Sequence, residues 1–226
     1  MVKFFLLTSA LAAGLFSNPV FSDSDGANRS YLANFEQESA SQDARQIADW
    51  VLDSRDNQNM PFLIIDKKNA KVFVFDPAGQ IMGASAVLLG VAVGDDSSKG
   101  VGQRKLSSIP VAERTTPAGR FVAELDRNVL GQAILWLDYA QAISLHPVRS
   151  AHPSERRLER LASATARDNR ISYGCINVPK QFFDKVVKPS LSNYRTVVYI
   201  MPEVRDIQSV FKGYKKSTEV SQSAPF

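Results

Sequence analysis

Three side chains in this 226-residue chain have the reactivity that nucleophilic chemistry needs: Cys175, the sole cysteine, and the two histidines, His146 and His152. A sole cysteine has no partner for an internal disulfide, so it is either an inert core residue or a free reactive group. Its setting, Arg170-Ile171-Ser172-Tyr173-Gly174-Cys175-Ile176-Asn177-Val178-Pro179, favours the second. Gly174 permits a close backbone approach or an unusual turn, and Pro179 suits the first turn of a helix. The cysteine is therefore expected where a strand or tight loop passes into a helix, whose free N–H groups favour a thiolate. A thiol titrating near ~8.5 also needs a base. His146 closes the apolar run Ala142-Ile143-Ser144-Leu145 and precedes Pro147, which suits a base pointing into a cleft. His152 precedes Pro153 within a charged insertion; it reads as a surface residue and is the runner-up for the base. One cysteine and two histidines lack the paired spacing of a structural zinc site, so neither a metal nor a cofactor is expected.

The elements that position these residues follow from periodicity. Ala44, Ile47, Trp50 and Val51 recur at helical spacing, predicting an amphipathic helix over Ser41 to Asp53 that docks on the main body. From Pro61 the period becomes two. Strands are predicted at Phe62 to Ile65, Lys71 to Phe75, Ala84 to Val93, Arg120 to Leu125, Ala133 to Leu137, Ala142 to His146 and Thr196 to Met201. Asp66 to Ala70 is the first turn between them, and Asp76-Pro77-Ala78-Gly79 the second. A helix is predicted from Lys180 to about Lys188, with Phe182, Phe183, Val186 and Val187 as its apolar face. Many short strands and few helices argue a mainly β domain. The Gly-, Ser- and Asp-rich stretch from Gly94 to Gly102 has no phosphate-loop pattern and reads as a surface connection.

The decapeptide around Cys175 resembles the signature of the L,D-transpeptidase (YkuD-type) family: Ser/Thr-His-Gly-Cys, an apolar residue, then Asn or Arg, with a further histidine upstream. Ser172, Gly174, Cys175, Ile176 and Asn177 match, while Tyr173 stands where the family usually has histidine. Thr116-Pro117-Ala118-Gly119-Arg120-Phe121 is similar to a Thr-Pro-x-Gly-x-Phe segment that the family carries ahead of its catalytic motif. With Asp66-Lys67-Lys68 and the following strand pair, the resemblance runs from about Phe62 to Met201. It implies a YkuD-like β-sandwich or barrel with a few packed helices, here preceded by an N-terminal helix. It also implies Cys175 as nucleophile and His146 as its base. Gly174, Ser172, Tyr173, Asn177 and Arg170 are implied in substrate binding or at the oxyanion, with backbone N–H groups near Gly174 and Cys175 holding the developing charge. The implied substrate is the tetrapeptide stem of peptidoglycan, attacked at the diamino acid in position three. The acceptor would be an amine, in cross-linking or protein attachment, or water, in a carboxypeptidase or endopeptidase. The rival from another class is a catalytically silent peptidoglycan-binding module that keeps the fold.

Two departures from the family pattern stand out: Tyr173, and an interval of 29 positions from His146 to Cys175, longer than the usual spacing. The second requires an inserted element, since catalytic groups meet in space rather than in sequence. That element, Arg149 to Arg170, carries Arg149, Arg156, Arg157, Arg160, Arg167 and Arg170 and reads as a basic flap or a solvated helix face. Because Asn177 stands where many relatives have arginine, Arg170 or a flap arginine is expected to supply that charge to substrate carboxylates. Papain-like and NlpC-type peptidases place cysteine before histidine, the reverse of the order here.

Met1 to Ser22 reads as a secretory signal peptide, with Lys3 as its positive region and Phe4 to Phe16 as its apolar core. That run is shorter than the ~20 residues a membrane span needs, so no transmembrane anchor is expected after cleavage, and the mature chain is assigned to the periplasm or cell envelope. Residues 23–58 are expected as a polar, mobile lead-in plus the amphipathic helix, 59–202 as the catalytic domain, and 203–226 as a polar tail with a short helix near Val210 and Phe211. A net charge of +4, from 27 basic and 23 acidic residues, excludes a nucleic-acid arm and leaves a modest attraction to anionic polymers.

Overall fold

The computed structural model describes residues 31–149, 152–191 and 195–215; the signal-peptide segment Met1 to Ser22 lies outside the described residues. The protein is mainly β. Helix α1 (Gln42–Asp53) comes first, capped by the Ser41 hydroxyl, which accepts from the Ala44 N–H. Strands β1 (Phe62–Asp66), β2 (Lys71–Phe75), β3 (Ile81–Ala86) and the two-residue β4 (Leu89–Gly90) follow. After a long connection come β5 (Gly119–Arg127), β6 (Ala133–Asp138) and β7 (Ile143–Pro147). The insertion carries a short helix, α2 (Arg157–Ala162). Strands β8 (Arg170–Ser172) and β9 (Ile176–Val178) bracket Cys175. Helix α3 (Lys180–Phe182) runs through one π-turn, Phe183–Val187, into α4 (Lys188–Leu191). Strand β10 (Thr196–Ile200) and helix α5 (Ile207–Val210) complete the described chain.

Eight strands form one sheet in the order β3-β2-β1-β10-β5-β6-β7-β9. Its two edges meet: beyond β3, Leu88 and Asn177 of β9 exchange both backbone hydrogen bonds, at 2.8 and 2.9 Å. The sheet is thereby nearly closed into a barrel, and neither edge is left open along that seam.

Period two divides β1, β2 and β10 between two cores. Leu63, Ile65, Val72, Val74, Val198 and Ile200 face the barrel interior with Leu145, Ile176, Val178 and Phe183. Phe62, Ile64, Phe73, Phe75, Val197 and Tyr199 face outward and are covered by Ile47 and Val51 of α1 together with Phe35, Phe211 and Tyr214. Both faces are buried, which is why every residue of β1 is inaccessible.

Three sequence expectations change here. The lead-in is packed over its described part: Phe35 is 2% exposed, edge-on to Phe73 and Phe75, and Asn34 bridges to Gln80. The segment after β10 is packed as well, because Phe211 and Tyr214 close the outer core around Trp50. The single strand predicted over Ala84 to Val93 is divided, since β3 pairs with β2 while β4 turns to pair with β8. We expect Ile47→Ala to cost about 2–5 kcal/mol in denaturant unfolding. Val129→Ala, at a fully exposed hairpin tip, should stay within about 0.5 kcal/mol.

Candidate active site

Strands β7 and β9 run parallel with Leu145 opposite Ile176, His146 opposite Asn177 and Pro147 opposite Val178. Partners in register share a face, and alternate residues reverse it. Ile143, Leu145, Ile176 and Val178 enter the core; Ser144, His146, Cys175 and Asn177 therefore share the opposite face. Contacts follow that register. Ser144 Oγ lies 3.6 Å from Cys175 Sγ, and Asn177 Nδ2 lies 3.0 Å from His146 Nε2. The thiol also reaches the Ala142 carbonyl at 3.4 Å and is partly exposed. Thiol and imidazole thus lie on one face of adjacent strands, two positions apart in the register; the hydrogen-bond partners of the thiol are Ser144 and Ala142, and those of the imidazole are Asn177 and Pro147.

The protonation pattern of His146 follows from its neighbours. Arg157 Nη1 of α2 donates to Asn177 Oδ1 at 2.7 Å, which fixes the amide with its NH₂ toward the imidazole. Nε2 must then accept, and Nδ1 must carry the proton that it donates to the Pro147 carbonyl at 2.8 Å. Burial lowers the His146 pKa below 6.5; the bond to Pro147 opposes this, and the Arg149 and Arg157 charges add to it. His146 is a neutral acceptor at pH 7.

The turn carrying Cys175 is held from within and from behind. Ser172 Oγ donates to the Cys175 carbonyl at 2.6 Å and accepts the Gly174 N–H at 3.1 Å. The Gly174 N–H is thereby occupied, whereas the Cys175 N–H meets no acceptor among the described residues. Gly174 adopts φ +130°, and a Cβ there would stand 2.7 Å from the Thr115 carbonyl oxygen, so only glycine fits. Thr116 Oγ1 donates to the Gly174 carbonyl and accepts the Gly90 N–H, both at 2.8 Å. A strand rather than a helix follows the thiol, because Ile176 and Val178 fill the core; helix α3 begins only after Pro179, so its N-terminal N–H groups do not adjoin Cys175.

Behind Thr116 lies a buried ionic cluster. Lys67 Nζ, fully buried, donates to Asp95 Oδ1 at 2.7 Å, to the Gly94 carbonyl at 2.7 Å and to the Thr116 carbonyl at 2.8 Å. Burial alone would raise the Asp95 carboxyl, but Lys67 and the N–H groups of Glu203, Val204 and Arg205 outweigh it and hold the pKa at about 2. Arg170 ion-pairs with Glu203 and donates to the Lys67 carbonyl at 3.1 Å. Its charge is neutralised within this cluster rather than presented beside the thiol. His152 is exposed, in the insertion. Tyr173 lies under Arg114, whose guanidinium carbon is 4.0 Å from the ring centroid.

Sequence reading missed Ser144, Arg114, Thr116, Lys67 and the specific part of Arg157. Thr116 and Lys67 stood within the segments that carry the family resemblance, and Ser144 had a signal of its own, since it lies two positions before His146 on the same strand and so on the same face. Among the described residues no cluster of metal-binding side chains occurs, and no helix is long and apolar enough to cross a membrane.

No family model and no curated protein matches the chain. Among solved structures, it is similar to the helical cell shape determining protein Pgp2 from Campylobacter jejuni, at 14% identity and TM-score 0.42, over 66% of this chain and 49% of that one. It is also similar to the catalytic domain of the E. faecium L,D-transpeptidase, at 13% identity and TM-score 0.36, over 62% of this chain and 96% of that one. A third is the Ldtfm-avibactam carbamoyl enzyme, at 13% identity and TM-score 0.35, over 64% and 49%. The chain spans about half the length of Pgp2.

The His146 arrangement is open to test by nitrogen NMR. We expect a neutral Nδ1–H tautomer titrating below 6.5, and an upward shift in Arg157→Gln as one nearby cation is removed. A folded pKa below the unfolded value means that the neutral ring stabilises the fold above pH 6.5. That contribution is lost as pH falls from 6.5 through the folded pKa. A dominant Nε2–H tautomer would contradict the assignment.

Proposed function

We propose that the protein is a cysteine acyltransferase of the L,D-transpeptidase type, exported to the cell envelope, acting on peptidoglycan stem tetrapeptides. The observation that supports this reading is the shared face of β7 and β9, which carries a partly exposed thiol and, two positions along the register, a neutral imidazole. The motif resemblance around Cys175 supplies the substrate class.

In this mechanism the Asn177 amide turns away from His146 Nε2, and that nitrogen takes the proton of Cys175. The thiolate attacks the carbonyl of the diamino acid in position three, and the Cys175 N–H donates to the resulting oxyanion. Ser144 Oγ, 3.6 Å from sulfur, holds the nucleophile in place. As the carbon–nitrogen bond breaks, His146 returns the proton to the leaving D-alanine amine, and a thioester remains. An amine acceptor then attacks the thioester, losing a proton to His146, and the sulfur departs to regain it. Water in place of the amine gives a carboxypeptidase.

Incubation with a carbapenem is expected to add one drug mass at Cys175, read by intact-protein and peptide mass spectrometry. Cys175→Ala should abolish the adduct, and His146→Ala should slow it by about 10²- to 10⁴-fold. His152→Ala should react like the parent. An unmodified thiol, together with retained binding to purified wall, would point instead to a silent peptidoglycan-binding module.

A further inference from the structure

We infer that Arg114 is the residue that selects the substrate, binding the terminal carboxylate of the amino acid that leaves, on a platform provided by Tyr173. The inference rests on the acyltransferase reading and names which part of the stem peptide the site recognises.

The argument begins with charge. A substrate carboxylate needs a cation with free donors near the nucleophile, and most arginines near this site are committed. Arg170 is paired with Glu203. Arg157 is paired with Glu155 and donates to Asn177. Arg160 donates to the Glu155 and Asp168 carbonyls. Arg114 differs. Its Nε donates to the Ile109 carbonyl at 3.0 Å, and its two terminal nitrogens meet no acceptor among the described residues.

Position follows from the backbone. Arg114 precedes Thr115, whose carbonyl oxygen lies against Gly174, and Thr116, whose hydroxyl holds the Gly174 carbonyl. Its guanidinium carbon lies over the ring of Tyr173, two residues before the nucleophile, at 4.0 Å from the centroid. One edge is thus fixed by Ile109 and one face by the ring, which leaves the terminal fork pre-oriented and half-buried. Such a fork matches a carboxylate in bidentate geometry, and prior immobilisation reduces the entropy lost on binding.

Chain geometry selects which carboxylate. In a peptide whose last residue leaves, the terminal carboxylate is separated from the attacked carbonyl by only the amide nitrogen and one Cα. That short span suits a cation stacked beside the residues that immediately precede the thiol. Tyr173, in the place of the family's usual histidine, has the flat face on which a guanidinium stacks.

The test uses two tetrapeptides that differ only at the last residue, one a free acid and one its amide, with two readouts. Binding is measured by calorimetry to the Cys175→Ala chain, which needs no turnover; acylation is measured on the chain that retains Cys175. The free acid is expected to bind at least tenfold more tightly than the amide. Arg114→Met should reduce that preference to within about twofold, and Arg114→Lys should restore part of it. In the acylation assay the same loss should appear in KM more than in kcat. An equal affinity for acid and amide in the parent would overturn the inference, as would a preference that persists in Arg114→Met. A carboxylate preference that depends on Arg114, in a chain that forms no acyl-enzyme, would uphold the binding assignment and refute the catalytic one.

Discussion

The seam between Leu88 and Asn177 is the constraint on which the rest of the structure depends. Two reciprocal backbone hydrogen bonds there join the segment after β3 to β9, and they turn an open sheet into a nearly closed one. Asn177 is consequently held on both sides, by Leu88 across the seam and by His146 in the parallel pair with β7. Without that closure β9, only three residues long, would have too few contacts to keep a register. A one-residue slip would send Cys175 and Asn177 into the core and bring Ile176 to the surface.

Closure also explains why the site is polar where it is. The face of β7 and β9 opposite the core is not covered by a helix such as α1, which lies against β1, β2 and β10. It is covered by two connections that carry charge: the stretch containing Arg114 on one side and the insertion containing Arg157 on the other. Each fixes one member of the site. Arg157 sets the Asn177 amide and hence the imidazole tautomer; the strand of contacts from Lys67 through Thr116 sets the Gly174 carbonyl. Breaking the buried Lys67–Asp95 pair would leave an uncompensated charge, at a cost of about 3–5 kcal/mol, and would release the turn beneath the thiol.

Much of this was legible in the sequence, for physical reasons that also mark where legibility stops. Period-two alternation located β1, β2, β5, β6, β7 and β10, because each is five or more residues long and turns at least one face toward a core, if only through Phe121, Ala123 and Leu125 in β5. Strands β8 and β9 are three residues each, too short to show a period, so the chain after Cys175 read as the approach to a helix. Phe35 was hidden in a polar lead-in because its burial depends on a pocket made by Phe73 and Phe75. Lys67 sits in a turn beside a second lysine, and nothing local distinguishes the buried one from Lys68. Arg170 read as a free cation because its partner, Glu203, is 33 positions away. The pairing of His146 with Asn177 similarly depends on strand register, which residue types alone do not encode.

The central claim of the proposed function is that His146 on β7 acts as base for Cys175, which precedes the β9 strand that the seam holds in register. Alkylation of Cys175 by iodoacetamide across pH 5 to 9, in the parent and in His146→Ala, tests it most directly, because the reagent needs no assumption about the natural substrate. The account predicts that alkylation of the parent near pH 7 is at least tenfold faster than that of His146→Ala, with the two rates converging at high pH where the thiol ionises unaided. Superimposable profiles for the two chains would contradict it.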